Sequence, residues 1–295
     1  MTRYESHIDV TALEAIDVHV HIEVDGHGHA SLPDDLAAAA SKYFSTDAAR
    51  PDLDSIAQYY RERRMAAVVF TVDAETHLGH PPLSSADIAE GAARNNDVLI
   101  PFGSVDPNRQ DAADRARRLI EDNGVRGFKF HPTVQGFDPS STEFFPLYEV
   151  LQEAGAVALF HTGQTGIGAG LPGGRRLHLA LSNPMLLDGV AAEHPELQII
   201  MAHPSVPWQD EALAVATHKH NTWIDLSGWS PKYFPDSLMR AANSYLKDRV
   251  LFGSDFPMLT PDRWQRDAAA AERFKPEVLP GIFKDNAVRL LGLAG

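Results

Sequence analysis

The chain has 295 residues, 44% hydrophobic and 22% charged, which suits one large barrel and argues against disorder. It contains no cysteine, so disulfides, thiolate metal sites and cysteine nucleophiles are excluded together. Its 26 basic against 40 acidic residues give a net charge of −14, which excludes nucleic acid as a natural partner but not a small anion held by local arginines.

The first seven residues lack the apolar core of a signal peptide. No run approaches the roughly 18 apolar residues of a membrane span, so a cytoplasmic protein with no membrane partner is expected. The first predicted strand, 16–22, reads Ile-Asp-Val-His-Val-His-Ile. Side chains on a strand repeat every two residues, so His19 and His21 share a face. Two imidazoles so placed are half of a metal site, because imidazole ligates zinc and its first-row neighbours well. Residues 23–51 are too long for a plain connection and carry a short predicted helix at 36–43. Within them His27 and His29 lie among glycines and are given no ligand role.

Helices at 54–64, 85–95 and 111–122 then alternate with strands at 66–72, 98–103 and 125–130. Lys129 and His131 stand two apart at the end of the last of these and share a face. A helix at 143–154 precedes a strand at 156–161 that ends on His161. The connection 164–182 is the second over-long one. The glycine-dense stretch 163–170 lacks the Lys-Ser/Thr ending of a phosphate loop and reads as a mobile lid. Behind it Arg175 and Arg176 are placed to clamp a carboxylate or phosphate, if they are not simply solvated. A helix at 185–194 leads to a strand at 197–203 ending on His203, and a helix at 209–218 to a strand at 222–226. A helix at 236–247 leads to the eighth strand, 250–255, which ends on Asp255. Trp208, Trp229 and Tyr233 follow strands six and seven and suit a flat, ring-bearing substrate. His178, His194, His218 and His220 fall on helices or loops and are expected at the surface.

Eight strands alternating with helices predict an α/β fold, a (β/α)8 barrel spanning 1–295 as one domain, with long loops over its C-terminal face. Strand C-termini converge on that face, so His161, His203 and Asp255 should meet His19 and His21 there. Each of the five alone reads as a capped strand end or a satisfied histidine. All five at the same ends of their strands read as a site.

These residues match a known pattern. His19-x-His21 on strand one, His161 on strand five, Ala202-His203-Pro204 on strand six and Gly253-Ser254-Asp255-Phe256-Pro257 on strand eight resemble the amidohydrolase superfamily. The chain is most similar to its amidohydrolase 2 branch, which holds aromatic-acid and aminocarboxymuconate-semialdehyde decarboxylases beside hydrolases and hydratases. The resemblance implies that His19, His21, His161 and Asp255 bind one divalent metal, usually zinc, with manganese as the other candidate. It implies that His203 polarises substrate or shuttles a proton and that Asp255 doubles as a base. Residue chemistry agrees, since three neutral imidazoles and a carboxylate leave a positive centre able to bring a bound water's pKa toward about 7. Two-metal relatives bridge their ions with a carboxylated lysine on strand four. For Lys129 the preferred reading is a substrate-facing or acid-paired cation, and one metal or two stays open. Lys129, His131, Arg175, Arg176 and Trp229 are the candidates for substrate contact.

Two reactions follow. The first is hydrolysis of an activated carbonyl on an aromatic acyl compound in aromatic catabolism. Residues 207–212 and 225–233 resemble hydroxyphenyl-β-ketoacyl-CoA hydrolases in this respect. The second is nonoxidative decarboxylation of a hydroxylated aromatic or muconate-type acid. His-x-His departs from the Glu-x-Ala or Glu-x-His of many aromatic-acid decarboxylases but matches the muconate-semialdehyde enzymes. Five intact site residues argue against a non-catalytic binding protein. The expected partner is a small aromatic molecule, and a homo-oligomer stays open.

Overall fold

Runs of β-branched and apolar residues, each bounded by polar turns, form eight short strands. They are β1 (Ala15–His21), β2 (Met65–Phe70), β3 (Leu99–Pro101), β4 (Gly127–Phe130), β5 (Val157–His161), β6 (Ile199–Ala202), β7 (Thr222–Asp225) and β8 (Val250–Leu251). The computed structural model describes residues 2–46 and 50–293, so 47–49 of the first long connection lie outside it. All paired strands are parallel, in a three-stranded sheet β1-β2-β3 and a five-stranded sheet β4-β5-β6-β7-β8. Backbone hydrogen bonds continue across both seams. Gly103 N donates to Gly127 O and Lys129 N to Gly103 O between β3 and β4. Val18 N donates to Phe252 O and Asp255 N to His19 O between β8 and β1. The ring of eight strands is the expected (β/α)8 barrel, joined at two seams by single bridges rather than full ladders.

The helices are α1 (Asp34–Phe44), α2 (Leu53–Glu62), α3 (Glu75–Leu78), α4 (Ser85–Arg94), α5 (Ala112–Asn123), α6 (Pro132–Gln135), α7 (Phe145–Glu153), α8 (Leu186–Glu193), α9 (Gln209–His218), α10 (Asp236–Ala242), α11 (Pro261–Ala271) and α12 (Asn286–Leu291). The α10 helix stops at Ala242, five residues short of the predicted 247. Strand alternation divides the core. In β2, Ala66, Val68 and Phe70 pack inside the barrel with Ile100, Leu159, Ile200 and Leu251. Ala67 and Val69 face outward with Phe128, Phe160 and Ile199 to meet the helices. Among the described residues no helix is long and apolar enough to cross a membrane.

Candidate metal centre

The barrel interior narrows to a polar floor where the strands end. A β-bulge between Asp17 and Val20 on β1 shifts the register, which turns Asp17 out toward α2 and leaves His19 and His21 facing in. His203 and Asp255 reach the same place by a different device. Each follows its strand with a left-handed backbone, φ 72° and 73°, where non-glycine residues carry strain of order 1–3 kcal/mol. That turn takes both out of the alternation of β6 and β8. All five predicted strand-end residues come together, as the sequence analysis anticipated.

Three ligand atoms form a compact triangle. His19 Nε2 lies 3.2 Å from His21 Nε2, and each is 3.3 Å from Asp255 Oδ1. Two atoms each about 2.1 Å from one tetrahedral ion would be about 3.4 Å apart, so the spacing fits a small divalent cation. His19, His203 and Asp255 make a wider set, with ligand atoms within 4.8 Å of one another. The tighter triangle is the better match to a single ion.

The hydrogen bonds fix which nitrogens carry lone pairs. His19 Nδ1 is 2.6 Å from Asp225 Oδ2, and a carboxylate only accepts, so Nδ1 carries the proton and Nε2 the lone pair. His203 Nδ1 is 3.1 Å from Ser227 O and donates to it, which leaves His203 Nε2 to accept from His161 Nδ1 at 3.0 Å. The chain ends on His161 Nε2, a buried nitrogen with no protein partner. Such an orphaned lone pair is costly unless something positive meets it. Lys129 Nζ donates to His19 Nε2 at 3.0 Å, so this cluster attracts positive charge even without an ion.

Burial sets the charge states. His19, His131 and His161 are held well below the usual imidazole range, by burial first and then by Lys129 and neighbouring histidines. Burial brings His203 down to about 4 and Lys129 down to about 7, and it pushes Asp225 up to about 7. Asp255 is also driven up by burial, but His21, His203 and Lys129 around it outweigh this and hold it below the usual value. The result is unprotonated His19, His131, His161 and His203 around an ionised carboxylate, a donor set that suits a divalent metal.

Glycines make room for this packing. A Cβ on Gly253 would lie 2.4 Å from Asp225 Oδ1 and 3.0 Å from His19 Cβ. One on Gly228, whose φ is +75°, would lie 2.7 Å from His203 Nδ1. Ser227 Oγ bridges His19 and His203, 3.0 Å from the Nδ1 atom of each. Asp17 accepts from Tyr60 Oη, from Ser254 and from the His19 amide, pinning β1 to β8. None of Asp17, Asp225, Ser227, Gly228 and Gly253 was singled out in the sequence. For Asp225 the signal was present, since it ends an apolar strand just as His161 does.

Above this floor is a cavity of about 330 Å³, at the small end of ligand pockets. Lys129, His131 and Trp229 line it as expected, with Tyr43, Phe44, Ile167 and Leu259. His131 stacks on His161, ring centroids 3.8 Å apart at 9°. The double arginine departs from expectation. Neither Arg175 nor Arg176 lines the cavity. Both are exposed on a left-handed turn, and Arg175 is bonded to Asp35 of α1 at 2.6 Å. Arg175 reaches across the loop to α1 rather than into the barrel. Trp208 also lies outside the cavity lining, while Tyr233 stands at the mouth, 64% exposed. His194, expected at the surface, is buried against Phe145 and Tyr148. His178, His218 and His220 are exposed. His27 and His29 stay outside the site, and His29 stacks on His80.

Solved structures share this architecture. An uncharacterised TIM-barrel protein from Bordetella bronchiseptica is 21% identical, with a TM-score of 0.75 over 94% of this chain and 98% of that one. A 2,6-dihydroxybenzoate decarboxylase solved with 2,6-dihydroxybenzoate is 16% identical, with a TM-score of 0.67 over 95% of this chain and 100% of that one. A dihydroxybenzoic acid decarboxylase from a Polaromonas species, solved with manganese and the inhibitor 2-nitroresorcinol, is 16% identical. Its TM-score is 0.69 over 95% of this chain and 97% of that one. No curated protein matches the chain in sequence. The family model described as Amidohydrolase (Amidohydro_2) matches residues 16–293, which include every residue of the buried His and Asp cluster. The chain therefore belongs to the amidohydrolase family.

Proposed function

We propose that this enzyme is a divalent-metal-dependent, nonoxidative decarboxylase of a hydroxylated aromatic acid. The observation that carries the reading is the ligand triangle of His19, His21 and Asp255 beneath a narrow cavity walled by Trp229, Phe44, Ile167 and Leu259. Such a pocket suits a flat ring with its charged end on the metal. The likeness to decarboxylases of dihydroxybenzoates, over nearly the whole chain, supports decarboxylation ahead of the hydrolysis ranked first from sequence.

We assign His19, His21, His161 and Asp255 to the metal, with manganese, bound in one neighbour, standing equal to zinc. When bound, the ion would hold oxygens of the substrate and stabilise negative charge on them. Lys129, buried beside His19 and brought down to about 7, holds its proton beside an entering carboxylate and orients it. His131 and Trp229 flank the ring. Asp255 Oδ1 belongs to the triangle, while Oδ2 has no protein hydrogen bond among the described residues. That oxygen is placed to take the proton of the substrate hydroxyl and return it to the ring carbon. His203 supports this transfer beside Asp255. The bond from ring to carboxylate breaks, its electron pair stays on the ring carbon, the proton takes the vacated position and carbon dioxide leaves. No oxidant is required.

Protein loaded with Mn2+ or Zn2+ and given a panel of hydroxybenzoates should release carbon dioxide and the matching phenol. Free thiol from aryl β-ketoacyl thioesters, with no carbon dioxide from any hydroxybenzoate, would replace this reading with hydrolysis.

A further inference from the structure

One lysine and one arginine line the cavity, and they sit at opposite ends. Lys129 is fully buried at the floor, whereas Arg263 is exposed at the mouth. Among the described residues the Arg263 side chain has no hydrogen bond or ion pair with the protein. That is unusual in a chain with 40 acidic residues against 26 basic ones. The nearby acids are engaged elsewhere. Asp262 accepts from Arg63 and Tyr59, Asp267 accepts from Ser230, and Asp236 accepts from Arg273.

The setting adds to the charge. Arg263 lies in the first turn of the eleven-residue helix α11, where Thr260 Oγ1 accepts from its amide at 3.2 Å. The positive end of a helix favours an anion at this place. On the adjoining turn Lys232 Nζ lies 4.8 Å from the centre of the Tyr233 ring, and Tyr233 lines the same mouth. The mouth thus carries one unpaired guanidinium at a helix N-terminus, with Lys232 beside it on the Tyr233 turn, in a cavity whose lining also holds the carboxylates Glu23 and Asp255.

We propose that Arg263 determines specificity by holding a second carboxylate on the far side of the substrate ring, so that the preferred substrate is an aromatic diacid. This rests on the aromatic-acid reading, in which the first carboxylate goes to the floor. It moves the anion clamp from Arg175 and Arg176, which lie outside the cavity lining, to Arg263, which is part of it.

Calorimetric titration of the Mn2+-loaded protein tests it, with 2-hydroxybenzoate as the monoacid and 2-hydroxyterephthalate and 4-hydroxyisophthalate as diacids. At least one diacid should bind about tenfold tighter than the monoacid, the scale of one partly exposed charge-assisted hydrogen bond. Arg263→Gln should abolish that preference while leaving the monoacid Kd within about twofold, and Arg263→Lys should retain part of it. Added salt should shrink the preference, since the group is exposed. Equal binding of monoacid and diacids by the native protein would overturn the subsite alone, as would a preference that survives Arg263→Gln. Failure of the monoacid to bind at all would overturn the aromatic-acid reading and the subsite with it.

Discussion

His161 Nε2 separates the roles of the histidines. It is the unpartnered end of a hydrogen-bonded chain that begins at the Ser227 carbonyl, while His203 spends both ring nitrogens within that chain. His19→Ala or Asp255→Ala should therefore remove metal and activity together, because each deletes a corner of the triangle. His203→Ala should keep its metal and slow turnover by about 10²–10⁴-fold, the range for losing a group that handles protons. Metal analysis beside kinetics checks this, and a His203 variant as metal-poor as His19→Ala would sink the division. Asp225→Asn should weaken metal binding by about 10–100-fold, since Asp225 fixes the tautomer of His19. The five strand-end residues were legible because a polar side chain closing an apolar run is conspicuous. Arg175 and Arg176 were not legible in the same way. A loop sequence does not reveal which way a left-handed turn will aim its side chains, and here it aims Arg175 at Asp35.

Elements, more than single side chains, decide how tightly the site is held. The β8–β1 seam has one bridge, and the carboxylate of Asp17 spans it by accepting from Ser254 and from the His19 amide. Strict alternation would have put Asp17 inside with His19. The bulge that turns it out leaves no mark in a sequence of alternating residues. The eight strands were plain because their runs are buried on both faces. The four-residue helices α3 and α6 are too short to show a period. The missed α11 did carry a signal, Thr260 as cap and Pro261 at the first helical position. Close packing at the seam gives a test. Gly253→Ala should lower metal affinity while leaving the barrel folded, because its Cβ would press Asp225 off His19 before it met the outer core. Unchanged metal affinity with native circular dichroism would show that Asp225 can shift freely. Complete loss of the fold would show that the seam itself cannot yield.

Across the whole molecule the site is a store of unprotonated nitrogen inside an acidic protein, and this couples metal, fold and pH. His203 titrates at about 4 in the fold against 6.5 when unfolded, and His19, His131 and His161 are depressed in the same direction by burial. As pH falls through 6.5 the unfolded chain takes up protons that the folded one refuses. The stability these groups contribute is thus complete above 6.5 and falls as pH drops below it, for His203 down to about 4. Each unit of depression is about 1.4 kcal/mol. Four carboxyls raised by burial oppose the trend, Asp17 to about 6, Asp225 to about 7, and Glu23 and Asp73 in the same direction, because they favour the fold as they take protons. Three of the four histidines are held well below their usual range, and these deeper depressions leave a net loss toward acid. The metal-free protein should therefore show a Tm that falls between pH 6.5 and 4. Added Zn2+ or Mn2+ should raise Tm at pH 7.5 and should keep that increment as pH falls through 6.5, because the folded His19 and His161 nitrogens stay free of protons there. Thermal unfolding of the metal-free and metal-loaded protein across this range measures both effects. No metal increment at pH 7.5 would mean that the histidine cluster binds no ion, and it would lose its role as the metal site.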